Sequence, residues 1–556
     1  MSEKKMNNKA MLNAYPDSIG TKLSDVVSLL KRDEFKDVFS SFYILPSIYN
    51  TDLDRGFSLI TYDLSDKYAS QKDIDDLHEA DIDLTLDMIL NHISVLSPEF
   101  QDLIKNGEES IYKDFFIDWN KFWDGCGQMT EDGYIMPDNK YIKDMFFRKA
   151  GMPILMIRFP DGRDVPYWNT FYQEVVYNKV NPIELVGKLS MQYETAKDIS
   201  KTINDFIDDK KKLSELDLGE YDCYLPAVKE YLNANRSYLG QMDVNIKSPL
   251  VWDYYRKTLK RLSDYGVSIV RLDAFAYAPK EVGQKNFMND PGTWELLEKV
   301  DSIAKEYGLT LLPEIHATYG EKVYETLANK GYMVYDFFLP GLLIDAFERK
   351  NGNYLKGWID ECLEKGIKTI NMLGCHDGIP LLDLKGLLPE EDIQKVIDVV
   401  VNRGGYVKDL NGAKNVYYQV NATYYSALGE SDRRMLMARA IQMFMPGKPQ
   451  IWYLDLFAGK NDYEAMAKAG IGGHKEINRS NLTIDYASKR LQDEIVSKQL
   501  EMLRFRNTCP AFSEDAKIEA ECEGSKMSIS WSNEIGIATL NCDFVSEEYS
   551  IEYKEK

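Results

Sequence analysis

Residues 267–275, VSIVRLDAF, decide the predicted fold. The stretch is an apolar run rich in β-branched residues, and it stops at two charged residues, Arg271 and Asp273. Such a run is typical of a buried parallel strand, and in a βα barrel the carboxyl end of each strand faces the active site. Arg271 lies two residues before Asp273, so both side chains point to the same face and can form an ion pair. Asp273 is therefore the first candidate for a catalytic carboxylate, with a purely structural ion pair as the alternative.

Seven further apolar runs resemble this one, and helical patterns such as SPLVWDYYRKTLKRLSDYG separate most of them. The eight candidate strands are residues 10–15, 38–46, 83–91, 267–273, 309–316, 333–339, 369–377 and 449–454. Strands that alternate with helices indicate βα units, and eight such units form a closed barrel. The sequence therefore predicts an α/β protein built on a (β/α)8 TIM barrel.

Two connections are too long to be ordinary barrel loops. They follow the third and seventh strands, and the chain ends in short alternating runs, KMSISW and GIATLNC, that are typical of antiparallel strands. The predicted units are the barrel (1–92, 246–380 and 430–506), an inserted domain B (93–245) with an extra segment near 178–240, a second insertion forming a mobile loop domain (381–429) and a C-terminal antiparallel β domain (507–556).

The composition excludes several classes of partner. The net charge is -22, whereas nucleic acids and anionic membranes are bound by basic surfaces. No run of about 18 apolar residues and no signal-peptide pattern occurs, and the seven cysteines include no CxxC pair, which is typical of reduced thiols. We therefore expect a cytoplasmic protein that acts on small molecules, without nucleic acid or membrane partners; a homodimer is left open.

Four predicted strands end in acidic or histidine residues. They carry Asp87 with Asn91 and His92, then Asp273, then Glu314 with His316, and finally His376 with Asp377. A single histidine at a strand end is more often a satisfied core residue. Three of the five histidines in the chain lie at these ends beside carboxylates, however, and this pattern favours a functional site on one rim of the barrel.

The chemistry that suits such a rim is the exchange of glycosidic bonds. A retaining mechanism needs two carboxyl groups about 5 to 5.5 Å apart on either side of the sugar. We assign Asp273 as the nucleophile, kept ionised by Arg271, and Glu314 as the acid/base with a raised pKa. Asp377 is expected to hold sugar hydroxyls. A catalytic metal site is not favoured, because no HExxH spacing occurs; structural calcium is left open.

Five short motifs resemble those of the α-amylase family, glycoside hydrolase family 13: DMILNH, VRLDAF, LLPEIH, GCHDG and QMDVN. Longer stretches, such as RLDAFAYAPKEVG and MFMPGKPQIWYLDLFAGKND, resemble sucrose phosphorylase and its close relatives over most of the chain. The resemblance implies the reversible phosphorolysis of sucrose to α-D-glucose 1-phosphate and fructose through a covalent β-glucosyl-enzyme intermediate. Inorganic phosphate is then the co-substrate, and no cofactor is expected.

The resemblance also implies roles for individual residues. Asp54 and Arg479 form a pair at the far end of the glucose ring, and Lys149 lies where phosphate is expected to bind. The remaining substrate-binding residues are the aromatic Phe57 and Phe171, the polar His92, Gln241, Arg271, His316, His376 and Gln419, and Tyr418 of the mobile loop.

Three departures from the family pattern concern the acceptor. Val416 replaces an aspartate, Lys149 replaces an arginine, and the extra segment of domain B has no counterpart in compact members. Sucrose 6'-phosphate, glucosylglycerol and glucosylglycerate phosphorylases share this framework, as does an α-glucosidase. Lys408, Lys414 and Arg403 suit an anionic acceptor, whereas Gln419 suits neutral sucrose, which is the favoured substrate. A non-enzymatic carbohydrate-binding protein is disfavoured, because all three carboxylates are intact.

Overall fold

The computed structural model describes residues 7–148, 151–209, 211, 213–409, 417–469 and 473–556. At its centre is a sheet of eight parallel strands: β1 Met11–Ala14, β2 Ser41–Ile44, β3 Asp83–Ile89, β4 Val267–Asp273, β5 Thr310–Pro313, β6 Val334–Asp336, β7 Thr369–Asn371 and β8 Lys448–Trp452. Neighbours in the chain pair in parallel, and β8 pairs with β1. Only between β5 and β6 is there no ladder among the described strands. The predicted (β/α)8 barrel is confirmed.

Helices cover the outside of the barrel. They are Leu23–Leu30, Gln71–Glu79, Pro249–Asp264, Gly292–Glu306, Val323–Asn329, Leu339–Arg349, Asn353–Glu364, Asp432–Phe444 and Glu494–Thr508. The helix before β4 is representative. It begins with Pro249, which suits the first helical turn, and it buries Val251, Tyr255 and Leu259 at a spacing of four residues. Packing of this stripe against the barrel places the carboxyl end of β4 at the rim.

Several strands end earlier than predicted. The predicted strands 83–91, 309–316 and 369–377 are observed as β3, β5 and β7, which end at Ile89, Pro313 and Asn371. The polar residues that follow therefore lie in loops above the barrel rather than in the sheet. Beyond the end of the β4–β5 ladder, Glu314 N donates to Leu272 O over 3.2 Å. This bond keeps Glu314 beside the end of β4.

The long segment between β3 and β4 folds onto the mouth of the barrel. Strand Ser237–Asp243 pairs antiparallel with both Gln173–Val176 and His92–Ser94. Further hairpins pair Ile154–Arg158 with Asp164–Trp168 and Gly127–Met129 with Ile135–Pro137. The helices of this segment are Pro98–Asn106, Trp119–Phe122, Asn139–Ile142, Pro182–Leu189, Tyr193–Asp208 and Leu225–Ala234. The last three share a separate apolar cluster that includes Leu185, Ile199 and Val228. The domain boundaries stay a prediction.

After β7, strands Ile379–Pro380, Tyr406–Asp409 and Tyr417–Asn421 form an antiparallel sheet beside helix Glu390–Asn402. Shorter helices follow at Tyr424–Ala427, Tyr453–Leu456, Tyr463–Ala469 and Ile484–Arg490. The chain ends in a four-stranded antiparallel sheet, Lys517–Glu523, Lys526–Ser532, Gly536–Asp543 and Glu548–Glu555, as predicted. No described helix is both long and apolar enough to cross a membrane, and all seven cysteines are free thiols.

Candidate active site

Arg271 on β4 lies at the centre of the candidate site. Its side chain is buried, and its guanidinium contacts carboxylates from three adjacent strands. Nη1 donates to Asp87 on β3 and lies 3.1 Å from Asp273 Oδ1. Nη2 lies 2.6 Å from Glu314 Oε1, just beyond β5. The predicted ion pair between Arg271 and Asp273 is confirmed, but the guanidinium is shared.

The strand register explains why these groups meet. Arg271 lies directly opposite Asp87 across the β3–β4 ladder, so both side chains point to the same face. Tyr43 on β2 donates to the second oxygen of Asp87 over 2.8 Å. Asp273 lies two residues after Arg271 at the end of β4, and Glu314 directly follows the end of the neighbouring strand β5. The two predicted catalytic carboxylates therefore lie within the span of one guanidinium group.

The pKa values of the two carboxyls differ in the opposite sense to the prediction. Burial raises the pKa of Glu314, but the Arg271 guanidinium and the His316 ring outweigh burial and bring it to about 2. Burial also raises the pKa of Asp273, and there the more distant Arg271 does not compensate, so it lies well above its ordinary value. The prediction of a raised pKa for Glu314 is wrong for this structure, because Arg271 binds Glu314 more closely than Asp273.

Asp377 is a further carboxylate of the site, beside Asp87, Asp273 and Glu314. An oxygen of Asp377 lies within 4.8 Å of the ligand atoms of Glu314 and His316. Lys475 Nζ bonds Asp377 over 2.5 Å, and Arg479 Nη2 lies 3.5 Å away. These cations and His376 hold the pKa of Asp377 well below its usual range despite its burial.

Arg479 and Asp54, the predicted glucose-binding pair, lie close together. Arg479 Nη1 lies 3.7 Å from Asp54 Oδ1, and Arg479 Nε donates to the carbonyl of His376 over 2.7 Å. Asp54 is about half exposed, whereas Arg479 is buried. The pair therefore reaches from the protein interior to the entrance of the site.

His316 lies between two carboxylates at this cluster. Its ring nitrogens lie 3.4 Å from Glu314 and 3.4 Å from Asp383. Burial lowers its pKa, but these two carboxylates outweigh burial and raise the pKa to about 10. An imidazolium has a proton on both nitrogens and can donate to both carboxylates. Glu314, His316 and Asp383 therefore form an ionic network in this structure.

This raised pKa leads to a testable pH dependence. A histidine whose folded-state pKa is raised from 6.5 to about 10 contributes stability that is complete below pH 6.5 and is lost as the pH rises through 10. We expect His316→Gln to lower the free energy of unfolding by a few kcal/mol at pH 6 and by less at pH 10. Chemical denaturation of both proteins at several pH values measures this difference. The same loss at every pH would contradict it, and the exposed His78→Gln serves as control.

Aromatic and polar residues form one wall of the site. The ring of Phe57 stacks on His376 with centroids 5.1 Å apart, and its carbonyl lies 3.1 Å from His92 Nε2 and 3.2 Å from Gln241 Nε2. The His92 ring contacts Phe171 at 4.5 Å. Burial lowers the pKa of His92 to about 4 and of His376 to about 3, so both rings are neutral. These rings present neutral hydrogen-bonding groups and apolar faces, as sugar binding requires.

The predicted residues of the phosphate and acceptor side are only partly described. Gln419 is buried in strand Tyr417–Asn421. The backbone of Tyr418 belongs to the same strand, but its side chain lies outside the described part, as do Lys149, Val416 and Lys414 entirely and the side chain of Lys408. Their predicted roles stay predictions.

Several residues of the site were missed by the sequence analysis. They are Tyr43, Arg148, Lys475 and Asp383, and Asp87 was noted without a role. Asp87 had a detectable signal, since it is the one charged side chain within the apolar strand Asp83–Ile89 after its first residue. Lys475 and Asp383 follow no periodic pattern, because both lie in short 3-10 helices, Gly473–Asn478 and Leu382–Leu384, whose position depends on tertiary packing.

No protein-family model matches the chain. It is 48% identical to a sucrose 6(F)-phosphate phosphorylase of Ilumatobacter coccineus, over 98% of this chain and 96% of that protein. It is 30% identical to a sucrose phosphorylase of Streptococcus mutans, over 92% and 90% of the two chains. The crystal structure of a sucrose 6F-phosphate phosphorylase from Thermoanaerobacter thermosaccharolyticum superposes with a TM-score of 0.80 at 31% identity, covering 100% of this chain and 96% of that one.

Proposed function

Because the chain belongs to the family of sucrose phosphorylase and its close relatives, within glycoside hydrolase family 13, we propose that this site carries out reversible phosphorolysis of an α-glucosyl fructoside by a retaining mechanism. The observation that supports this best is the shared guanidinium, since Arg271 holds Asp273 and Glu314 at the ends of adjacent strands. Two carboxyl groups on either side of one sugar carbon are what the retaining mechanism requires.

In the first step, a carboxylate oxygen of Asp273 attacks the anomeric carbon of the glucosyl group. The bond from that carbon to the fructosyl oxygen breaks, and Glu314 donates its proton to the departing oxygen. In the second step, a phosphate oxygen attacks the same carbon and the ester to Asp273 breaks. The carboxylate of Glu314 then takes the proton of the attacking phosphate, and α-glucose 1-phosphate leaves.

This sequence requires the proton to lie on Glu314 when the fructosyl group departs. In the structure Arg271 favours the ionised form of Glu314. A glucosyl group bound between the carboxylates separates Glu314 from the guanidinium and leaves Arg271 to Asp273. Loss of a nearby cation raises the pKa of Glu314, while the closer cation lowers that of Asp273. Substrate binding thus sets both groups in their reactive forms.

Arg148 is the described residue best placed to bind phosphate. Its guanidinium lies 4.9 Å from the centroid of Phe171 and donates to the Tyr277 hydroxyl over 2.9 Å. Stacking on the rings of Phe171 and Tyr277 orients the planar guanidinium, and this planar group suits recognition of a phosphate. Arg148 directly precedes Lys149, the residue predicted for this role, so the proposal places phosphate in the predicted region, and the role of Lys149 stays a prediction.

We further propose that the fructosyl group of the substrate carries a phosphate. The sequence favoured sucrose and kept sucrose 6'-phosphate as an alternative. Similarity to a sucrose 6(F)-phosphate phosphorylase at 48% identity supports that alternative. Two cationic side chains, Arg148 beside Phe171 and Lys475 beside Asp377, also suit a substrate that brings a second anionic group.

The identity of the fructosyl group is tested by comparing sucrose and sucrose 6F-phosphate as glucosyl donors, each with inorganic phosphate. We expect kcat/KM for sucrose 6F-phosphate to exceed that for sucrose by about tenfold or more, because charge-assisted hydrogen bonds are lost with the neutral donor. Release of glucose 1-phosphate is measured in both cases. Equal or higher kcat/KM for sucrose would contradict a phosphorylated fructosyl group. Free glucose as the main product would contradict phosphorolysis itself.

A further inference from the structure

Lys280 is a buried lysine outside the groups assigned to the reaction. It follows β4 by seven residues, and its side chain is 2% exposed. Its ammonium lies 2.7 Å from Asp243 Oδ2, 2.9 Å from Asn91 Oδ1 and 2.7 Å from the carbonyl oxygen of Tyr277. An ammonium has three donors, and here each has an oxygen partner. The group therefore joins three chain segments through a fully satisfied set of charge-assisted hydrogen bonds.

These three segments are far apart in the sequence. Asn91 follows β3, Tyr277 lies in the turn after β4, and Asp243 ends strand Ser237–Asp243 of the inserted segment. Asp243 also accepts from Asn91 Nδ2 over 3.0 Å and from the backbone and hydroxyl of Thr170 over 2.7 and 2.6 Å. This ion pair is thus one of the contacts that fasten the inserted segment to the barrel.

Each partner of Lys280 is adjacent to a residue of the candidate site. Asn91 directly precedes His92. Asp243 pairs with His92 in an antiparallel ladder, and Gln241 of the candidate site belongs to the same strand as Asp243. Thr170, held by Asp243, precedes Phe171.

Tyr277, the third partner of Lys280, contacts residues on the proposed phosphate side of the site. Its ring contacts Phe171 at 5.3 Å, and its hydroxyl accepts from Arg148. Displacement of the ammonium would therefore disturb the sugar-binding wall and the phosphate-binding arginine together.

We propose that Lys280 is a positioning residue, whose ammonium holds the turn after the nucleophile strand and the inserted segment in the arrangement that places His92, Phe171 and Arg148 opposite Asp273. The inference rests on the function proposed above. Lys280 touches neither sugar nor phosphate, and it affects the rate of the reaction and the affinity for phosphate through the residues that it positions.

The test compares two buried lysines. Lys280→Met removes the ammonium, and the double variant Lys280→Met with Asp243→Asn also removes the carboxylate that would remain buried without a counter-ion. Lys448→Met is the matched control. Lys448 is equally buried, but it bonds Asn7 and the carbonyl of Lys9 at the amino-terminal end of the barrel, away from the site. Melting temperatures are measured first, and rates are then measured well below the lowest of them.

We expect the double variant to fold and to show a kcat at least about tenfold lower, together with a higher KM for phosphate. Lys448→Met is expected to lower the melting temperature with kcat unchanged. A folded double variant with kcat within about twofold of the parent would overturn the proposal. So would an equal loss of kcat in Lys448→Met, since the effect would then be one of general stability.

Consumption of α-glucosyl fluoride separates this proposal from the proposed function. That donor needs only the nucleophile and any acceptor, so its rate reports the arrangement of the site whether or not phosphate is the acceptor. A parent protein that consumes the fluoride without forming glucose 1-phosphate would contradict phosphorolysis alone. Unchanged fluoride consumption in the double variant would contradict the role of Lys280 alone.

Discussion

Asp273→Asn is expected to abolish phosphorolysis, with a loss of kcat on the order of 10⁴-fold or more. An amide is a poor nucleophile and cannot form the glucosyl ester through which a retaining reaction proceeds. The fold is expected to persist, because Arg271 keeps its contacts with Asp87 and Glu314. Initial rates of glucose 1-phosphate release, with circular dichroism as a check on folding, measure the effect.

Asp336→Asn is a matched control for this variant. Asp336 is a buried carboxylate at the end of another barrel strand, but it accepts from the backbone of Leu339 and from Trp358 rather than from Arg271. The control is expected to lose stability and keep its kcat. Turnover at the parent rate in Asp273→Asn would show that a different group attacks the sugar.

The barrel was predictable because its strands lie in short apolar runs, separated in most cases by helical patterns. All eight predicted strands are present, and the errors concern where they end. The runs 83–91 and 309–316 continue past Ile89 and Pro313 in composition, but the ladder stops there. Apolar character reports burial, whereas pairing depends on the neighbouring strand, so the ends of strands could not be derived from one sequence.

The candidate site was predictable to the extent that its residues follow strands. Asp273, Glu314, His316 and His376 were found in this way, and the structure places them together. What could not be derived is the division of one guanidinium among three carboxylates. Arg271 is adjacent to Asp273 in sequence but bonds Glu314 more closely, because the stagger of neighbouring strands decides which oxygens meet it. This contact reversed the predicted pKa of Glu314.

Glu314→Gln is expected to separate two kinds of donor. In a natural glucosyl donor the fructosyl oxygen is a poor leaving group that needs a proton from Glu314. We therefore expect glucosylation of Asp273 by this donor to slow by about 10³-fold. α-Glucosyl fluoride has a leaving group that departs without a proton, and we expect its consumption to fall by less than about tenfold in the first turnover. Pre-steady-state rates with both donors in the same variant provide an internal control for folding.

The contact with Arg271 sharpens this prediction. Glutamine keeps an oxygen for the guanidinium but removes the charge, so Arg271 is released to Asp273 and lowers the pKa of that carboxyl, which favours its attacking form. The fluoride rate of Glu314→Gln is therefore expected to extend to lower pH than that of the parent. Equal losses with both donors would mean that Glu314 orients the sugar rather than donating a proton. An unchanged pH profile would mean that the guanidinium does not pass between the two carboxyls.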